Sequence, residues 1–347
     1  MTTPHPTAIA ATPAARLDLV AVWLFVIAVM IFAMVVLGGV TRLTESGLSM
    51  VDWRPVTGWL PPMGEAAWQK VFDAYRTSPE YKRVNAGMSL DDFKGIFWLE
   101  YLHRLFGRVI GLAFFFPFVF FLSTGRLRGG LRWKCGAMFV LGGLQGGLGW
   151  YMVKSGLVDQ PDVSQYRLAA HLGLALVIYL YVLWTAFGIV QHRSGHGGGP
   201  AGTRAAAVLA LVFLTVISGA FVAGLNAGLI YDTFPLMGGQ LVPPEAFGLE
   251  QFHQNLFEDR ATVQFDHRVL AMTTVAAVLA FWLGIRRSGN PGLRRAGGVA
   301  LAAVAVQAGL GISTLVNGVP LVLAALHQAG AVVLLTAVLW AAHQARR

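Results

Sequence analysis

Glu100, His103, Arg104 and Arg108 lie in one stretch, Trp98 to Arg108, at the start of a long apolar run. Ionisable side chains are costly at membrane depth, so a carboxylate and an imidazole there mark a functional site. Residues three apart share a helical face, which points Glu100 and His103 the same way. A second stretch, Gln264-Phe265-Asp266-His267-Arg268-Val269, opens another apolar run, and His171 and His327 begin two more. Two imidazoles facing each other across a helix bundle form an axial pair for a haem iron. The residue four after each histidine is small: Gly107, Ala175, Ala271 and Ala331. It lies one turn along the same face, where a flat macrocycle needs room, and Gly111 extends the strip after His103. Arg104, Arg108 and Arg268 are candidate charge-assisted donors to haem propionates. Arg104 and Arg268 equally suit ion pairs with Glu100 and Asp266 or snorkelling to the interface. A non-haem metal is disfavoured, because no second carboxylate or histidine joins either pair.

The two arginine-flanked histidines are not equivalent. Glu100 sits three before His103, whereas Gln264 holds that place before His267, with Asp266 adjacent and on another face. A carboxylate kept on one side of a repeated scaffold points to chemistry in one half and a permanent cofactor in the other. The bland alternative is that Glu100 only pairs with Arg104 or orients His103.

The elements that position these residues follow from composition. The chain has 347 residues, 56% hydrophobic and 12% charged, with a mean hydropathy of +0.61. A soluble domain carries about 25% charged residues, so this is an integral membrane protein. A bilayer core takes roughly 20 apolar residues per helix, and eight runs qualify: about 19–41, 98–123, 133–153, 167–190, 204–225, 263–285, 294–316 and 321–343. The formal net charge of +9 gathers in short connections, which is topology signalling rather than a nucleic-acid surface. Arg126, Arg128, Arg132 and Lys134, then Arg193 and Arg204, then Arg286, Arg287, Arg294 and Arg295, and finally Arg346 and Arg347 share one side with Arg16. Both termini are therefore expected in the cytoplasm. The segment Met1–Ala15 lacks the basic and short apolar regions of a secretory signal. The single cysteine, Cys135, allows no intramolecular disulfide and reads as a packing thiol.

The chain divides into a cytoplasmic tail (1–18), a four-helix half (19–190), an inner linker (191–203), a second four-helix half (204–343) and a short tail (344–347). His192 and His196 in the linker read as solvated. The halves match in order: Gly47-Leu48 with Gly228-Leu229, His103-Arg104 with His267-Arg268, Gln145 to Gly149 with Gln307 to Gly311, and Leu168 to Leu172 with Leu323 to His327. An even number of helices per half makes them parallel repeats. All four histidines then fall near the outer face, beneath outer loops of about 42–97 and 226–262. The first loop carries Trp53, Arg54, Pro55 and Trp59, and Asp91-Asp92-Phe93-Lys94 suggests an amphipathic turn leading into the second helix.

Gly38-Gly39-Val40-Thr41-Arg42-Leu43-Thr44-Glu45-Ser46-Gly47-Leu48-Ser49, Glu100 to Arg104, Gln145 to Gly149, Ala170-His171-Leu172 and their second-half counterparts resemble the haem A synthase family, in its mitochondrial and alpha-proteobacterial form. The resemblance runs the length of the chain. It implies eight helices in two four-helix halves in the bacterial inner membrane. It also implies oxidation of a ring methyl of haem O to a formyl group with water-derived oxygen, giving haem A for terminal oxidases. By the same resemblance, His267 and His327 hold a haem b, while His103 and His171 flank the substrate haem beside a catalytic Glu100. Haem O synthase and cytochrome oxidase assembly factors become the expected partners, besides membrane lipid. Some bacterial relatives carry a cysteine pair in the first outer loop. None is present here, so thiol chemistry at that loop does not apply.

A di-haem b-type cytochrome that only passes electrons is the alternative. It accounts for the four histidines but not for Glu100, and it usually sets its haems at two depths. A haem or small-molecule exporter has little reason for axial pairs in both halves. Gly142-Gly143 and Gly146-Gly147 permit close helix contacts within one chain or in a homo-oligomer.

Overall fold

A computed structural model describes residues 18–52, 57–157, 161–191 and 199–346. The expectations for Arg16, Trp53, Arg54, Pro55, His192, Arg193, His196 and Arg347 lie outside the described residues. Among the described residues eleven α-helices follow in order: α1 (Leu19–Leu43), α2 (Glu65–Arg76), α3 (Pro79–Arg83), α4 (Leu90–Ser123), α5 (Gly130–Gly156), α6 (Gln165–Val190), α7 (Pro200–Gly224), α8 (Phe252–Glu258), α9 (Arg260–Ile285), α10 (Pro291–Val316) and α11 (Leu321–Gln344). No strand occurs among the described residues. Side-chain caps place several of the starts. Asp18 accepts from the Val20 amide at 2.8 Å, Asp259 from Thr262 at 2.7 Å and Asn290 from Leu293 at 3.1 Å. Proline at the first turn of α7 and α10 costs no hydrogen bond, since those amides have no partner within the helix.

Seven of these helices are long and apolar enough to cross a membrane: α1, α4, α6, α7, α9, α10 and α11. The chain is thus a multi-pass membrane protein. The 27-residue α5 has the length, but its glycines, Gln145 and flanking charges dilute its hydropathy. The sequence-based limits agree with the helices to within a few residues, with one correction. The second long helix begins at Leu90 rather than near 98, because Ser89 caps it by accepting from the Asp92 amide at 3.2 Å. Its extra turns leave the apolar layer and carry Phe93 and Phe97 into a separate aromatic cluster with Phe72, Tyr75 and Tyr101. Two helices in the first long loop, α2 and α3, build that cluster. Composition alone did not indicate them.

The long helices pack as two closed rings. One is α1–α4–α5–α6 and the other α7–α9–α10–α11, each helix touching its two ring neighbours. The rings meet through α6 against α7 and α11 against α1 and α6. The continuous core lies toward one end, around Leu24, Ile27, Leu176, Val182, Leu335 and Val338. His171 and His327 lie one turn or more before the solidly buried runs of α6 and α11, which begin at Leu176 and Val332.

Candidate functional site

Each of the four histidines rests on a glycine of the preceding long helix. A Cβ built on Gly38 of α1 would stand 3.0 Å from His103 Cε1, and one on Gly149 of α5 would stand 2.9 Å from His171 Cε1. The same construction on Gly219 of α7 gives 3.2 Å to His267, and on Gly311 of α10 gives 2.7 Å to His327. At Gly149 and Gly311 a methyl group would force the ring to shift, and at Gly38 and Gly219 it would press tightly against the ring, so glycine eases the approach of each imidazole. The paired helices α4 and α6, and likewise α9 and α11, are not ring neighbours but oppose each other across their rings.

Hydrogen bonds fix three of the rings. Gln145 Nε2 lies 3.1 Å from His171 Nδ1 and donates to the His171 carbonyl at 3.0 Å. Gln307 repeats both contacts at His327, each at 3.0 Å. Gln145 and Gly149 are four apart, as are Gln307 and Gly311, so one face of one helix both seats and holds a histidine. Ser218 Oγ lies 2.8 Å from His267 Nδ1. His103 Nδ1 is buried without a hydrogen-bond partner.

The residues around His103 and His267 grip the loops above them. Glu100 is buried and accepts from Ser49 Oγ at 2.7 Å, from the Met50 amide at 2.7 Å and from Arg104. Arg104 also donates to the Met50 carbonyl at 3.0 Å. In the second ring, Gln264 donates to the Tyr231 carbonyl at 2.9 Å, and Arg268 donates to Thr233 at 2.7 Å and Tyr231 at 3.1 Å. Arg104 thus makes the expected ion pair with Glu100, while Arg268 turns to loop carbonyls and not to Asp266. Arg108 lies over the Trp59 ring at 5.7 Å. Gly111 faces open space, but a Cβ on Gly107 would come 3.1 Å from Met34 Cε, so that part of the strip is lined by α1.

The structure places the four histidines, Glu100, Arg104 and Arg268, all singled out in the sequence, on α4, α6, α9 and α11 of the two rings. Sequence reasoning missed the four glycine seats, Ser49 and Ser218, and it noted Gln145 and Gln307 only as marks of the repeat. The available signal was the spacing of four between those glutamines and their glycines.

The donor set fits two iron porphyrins. The paired histidines stand on opposed helices, each ring lies close against a glycine, and the Ser218 hydroxyl at His267 Nδ1 leaves that ring's Nε2 for a metal. Among the described residues no third histidine, cysteine or carboxylate joins either pair. Fold and site together define a multi-helix membrane protein with a bis-histidine pair in each of two helix rings. Residues 21–339 match the family model COX15-CtaA, cytochrome oxidase assembly protein, and the chain belongs to that family. It is 53% identical to the heme A synthase of Nitrosospira multiformis, with 94% of each chain covered. It is 50% identical to the heme A synthase of Parvibaculum lavamentivorans, again over 94% of each. It is 46% identical to heme A synthase COX15 of Arabidopsis thaliana, over 94% of this chain and 75% of that one.

Proposed function

We propose that this chain is a haem A synthase, which oxidises a ring methyl of haem O to the formyl of haem A. The carrying observation is the pair of matched histidine seats, of which only the first has a carboxylate, Glu100, one turn away. By atom balance, converting the methyl to a formyl group takes one oxygen from water, releases four protons and passes four electrons to an external one-electron acceptor. The α1–α6 ring takes the substrate haem between His103 and His171. The α7–α11 ring holds a haem b between His267 and His327, which when bound supplies one-electron redox chemistry.

Glu100 serves this reaction from a fixed position. A carboxylate offers about four acceptor sites, and Ser49, Met50 and Arg104 take three of them. The remaining site accepts a proton or orients water at the reacting methyl. Arg104 and Arg268 clasp the loops over the rings, and a propionate contact from either uses donors beyond those already engaged. Four long helices per ring, including α5 as an eighth span, support two parallel repeats over 19–190 and 204–343, joined by the 191–203 linker. Basic short connections support cytoplasmic termini in a bacterial inner membrane. Haem O synthase and oxidase assembly factors are the proposed partners.

Extraction and chromatography of haem from the purified chain, made with and without haem O supply, tests this reading. Haem A beside haem b, appearing only when haem O is available, is the expected result. Two equivalents of haem b, unchanged by haem O, would replace the synthase with an electron-transfer cytochrome.

A further inference from the structure

Three of the four histidines have a hydrogen-bonding side chain at Nδ1, and the exception separates the rings. At α6 and α11 the support is the same, Gln145 for His171 and Gln307 for His327. At α4 and α9 it differs. Ser218 Oγ donates its single proton to the Thr215 carbonyl at 2.8 Å, so at the His267 contact it acts as acceptor. Nδ1 of His267 then carries the ring proton and Nε2 keeps its lone pair for a metal. His103 Nδ1 is buried with no partner.

The difference is traceable to one residue. The two rings lie over their glycines in the same way: a Cβ on Gly38 would be 3.0 Å from Cε1 and 3.6 Å from Nδ1 of His103, and one on Gly219 would be 3.2 Å and 3.7 Å from the same atoms of His267. The residue preceding each glycine is therefore equivalently placed. It is Ser218 in the second ring and Leu37 in the first.

We propose that this Ser218/Leu37 difference decides which ring keeps its haem and which releases it. Ser218 is a positioning residue that locks His267 as a permanent axial ligand. Leu37 leaves His103 without a lock, as a ligand that lets substrate haem in and product haem out at each turnover. The proposal rests on the reading that the second ring holds haem b and the first turns over its haem. The physical cause is the outer-shell hydrogen bond, which orients the imidazole and raises its basicity as a ligand. Removing such a bond typically costs roughly 10–100-fold in metal affinity.

The test uses the full chain in detergent with Ser218→Ala, Ser218→Thr, Leu37→Ser and His267→Ala. Retained haem b is measured through extended washing, with its midpoint potential and low-spin absorption and paramagnetic resonance spectra. Ser218→Ala should lose haem b about tenfold faster or more. Its potential should rise, because a less basic imidazole stabilises ferric iron less. Ser218→Thr, which keeps the hydroxyl, should restore both. Leu37→Ser should retain haem O and haem A that the parent sheds on washing. An unchanged potential, spectrum and retention in Ser218→Ala would overturn the role of Ser218, and unchanged shedding in Leu37→Ser would overturn that of Leu37. The His267→Ala arm separates the two levels. If haem b persists there, the assignment of rings is wrong. If it is lost while Ser218→Ala behaves as the parent, only the present proposal fails.

Discussion

At the residue scale, space next to an imidazole is as decisive as the imidazole. Gly311 has the tightest of the four seats, with a built Cβ 2.7 Å from His327 Cε1. The ring is also held by Gln307, a contact that any retreat would break. Gly311→Ala should therefore displace His327 and cut haem b occupancy at least tenfold. A haem-to-protein ratio measured on monodisperse protein checks this. Glu100→Gln makes a different prediction. It replaces a carboxylate that accepts from Ser49, Met50 and Arg104 with an uncharged amide, which loses the ion pair with the guanidinium. Haem b content should stay at the parental level, while haem A yield should fall by at least 10²-fold, the lower range for a lost general base. Loss of haem in place of turnover would make Glu100 a structural clasp only.

At the element scale, the early start of α4 makes the first long loop a folded unit. Phe93 stacks on Tyr75 at 5.0 Å between ring centroids, and Phe97 stacks on Tyr101 at 6.2 Å. Within this unit Glu80 is buried, accepting from Tyr75 Oη at 2.9 Å, while Asn85 donates to Tyr75 Oη at 2.8 Å. Burial raises the Glu80 carboxyl from 4.5 to about 7, and the Tyr75 hydroxyl is raised for the same reason. A folded-state value above the unfolded one means that the folded unit binds the proton more tightly. Its stability is fully present below about pH 4.5 and is lost as pH rises through about 7, by on the order of 3 kcal/mol. Hydrogen exchange of 65–97 should therefore quicken between pH 5 and pH 8. Glu80→Gln keeps an acceptor for Tyr75 without the charge and should flatten that dependence.

At the scale of the whole molecule, polar side chains from one ring reach the backbone of the other. Gln328, beside His327, donates to the Val35 carbonyl of α1 at 2.7 Å. Its amide fills the notch at Gly39, where a Cβ would lie 1.7 Å from Oε1. Arg42, one turn further along α1, donates to the Ala223 carbonyl at 3.1 Å and to Asn226 Oδ1 at 3.2 Å, covering the C-terminal end of α7. Gly38 seats His103 and its neighbour Gly39 receives Gln328, so the two histidine sites share a rigid contact. Gly39→Ala must expel the amide and should cost about 1–3 kcal/mol, from the lost hydrogen bond and overpacking. Thermal unfolding in detergent would show it. Adding Gln328→Ala removes the obstructing amide and should recover part of the loss, a coupling that independent sites would not give.

The amino-acid sequence by itself determined the long helices, and it carried the matching motifs of the two halves, the four histidines at helix starts and the one-sided Glu100. These are legible because each is carried by residues near one another in the chain: an apolar run, a charge at its start, a spacing of three or four. Tertiary structure decided what those residues touch. Glycine has no side chain to announce its role, so Gly38, Gly149, Gly219 and Gly311 became seats only when another helix crossed them. Ser218 is an ordinary helix residue until the ring of His267 lies beside it. The aromatic loop unit, Gln328 at Gly39 and the grip of Arg268 on loop carbonyls are likewise contacts between residues far apart in sequence. Local composition constrains such contacts only weakly, and packing sets them.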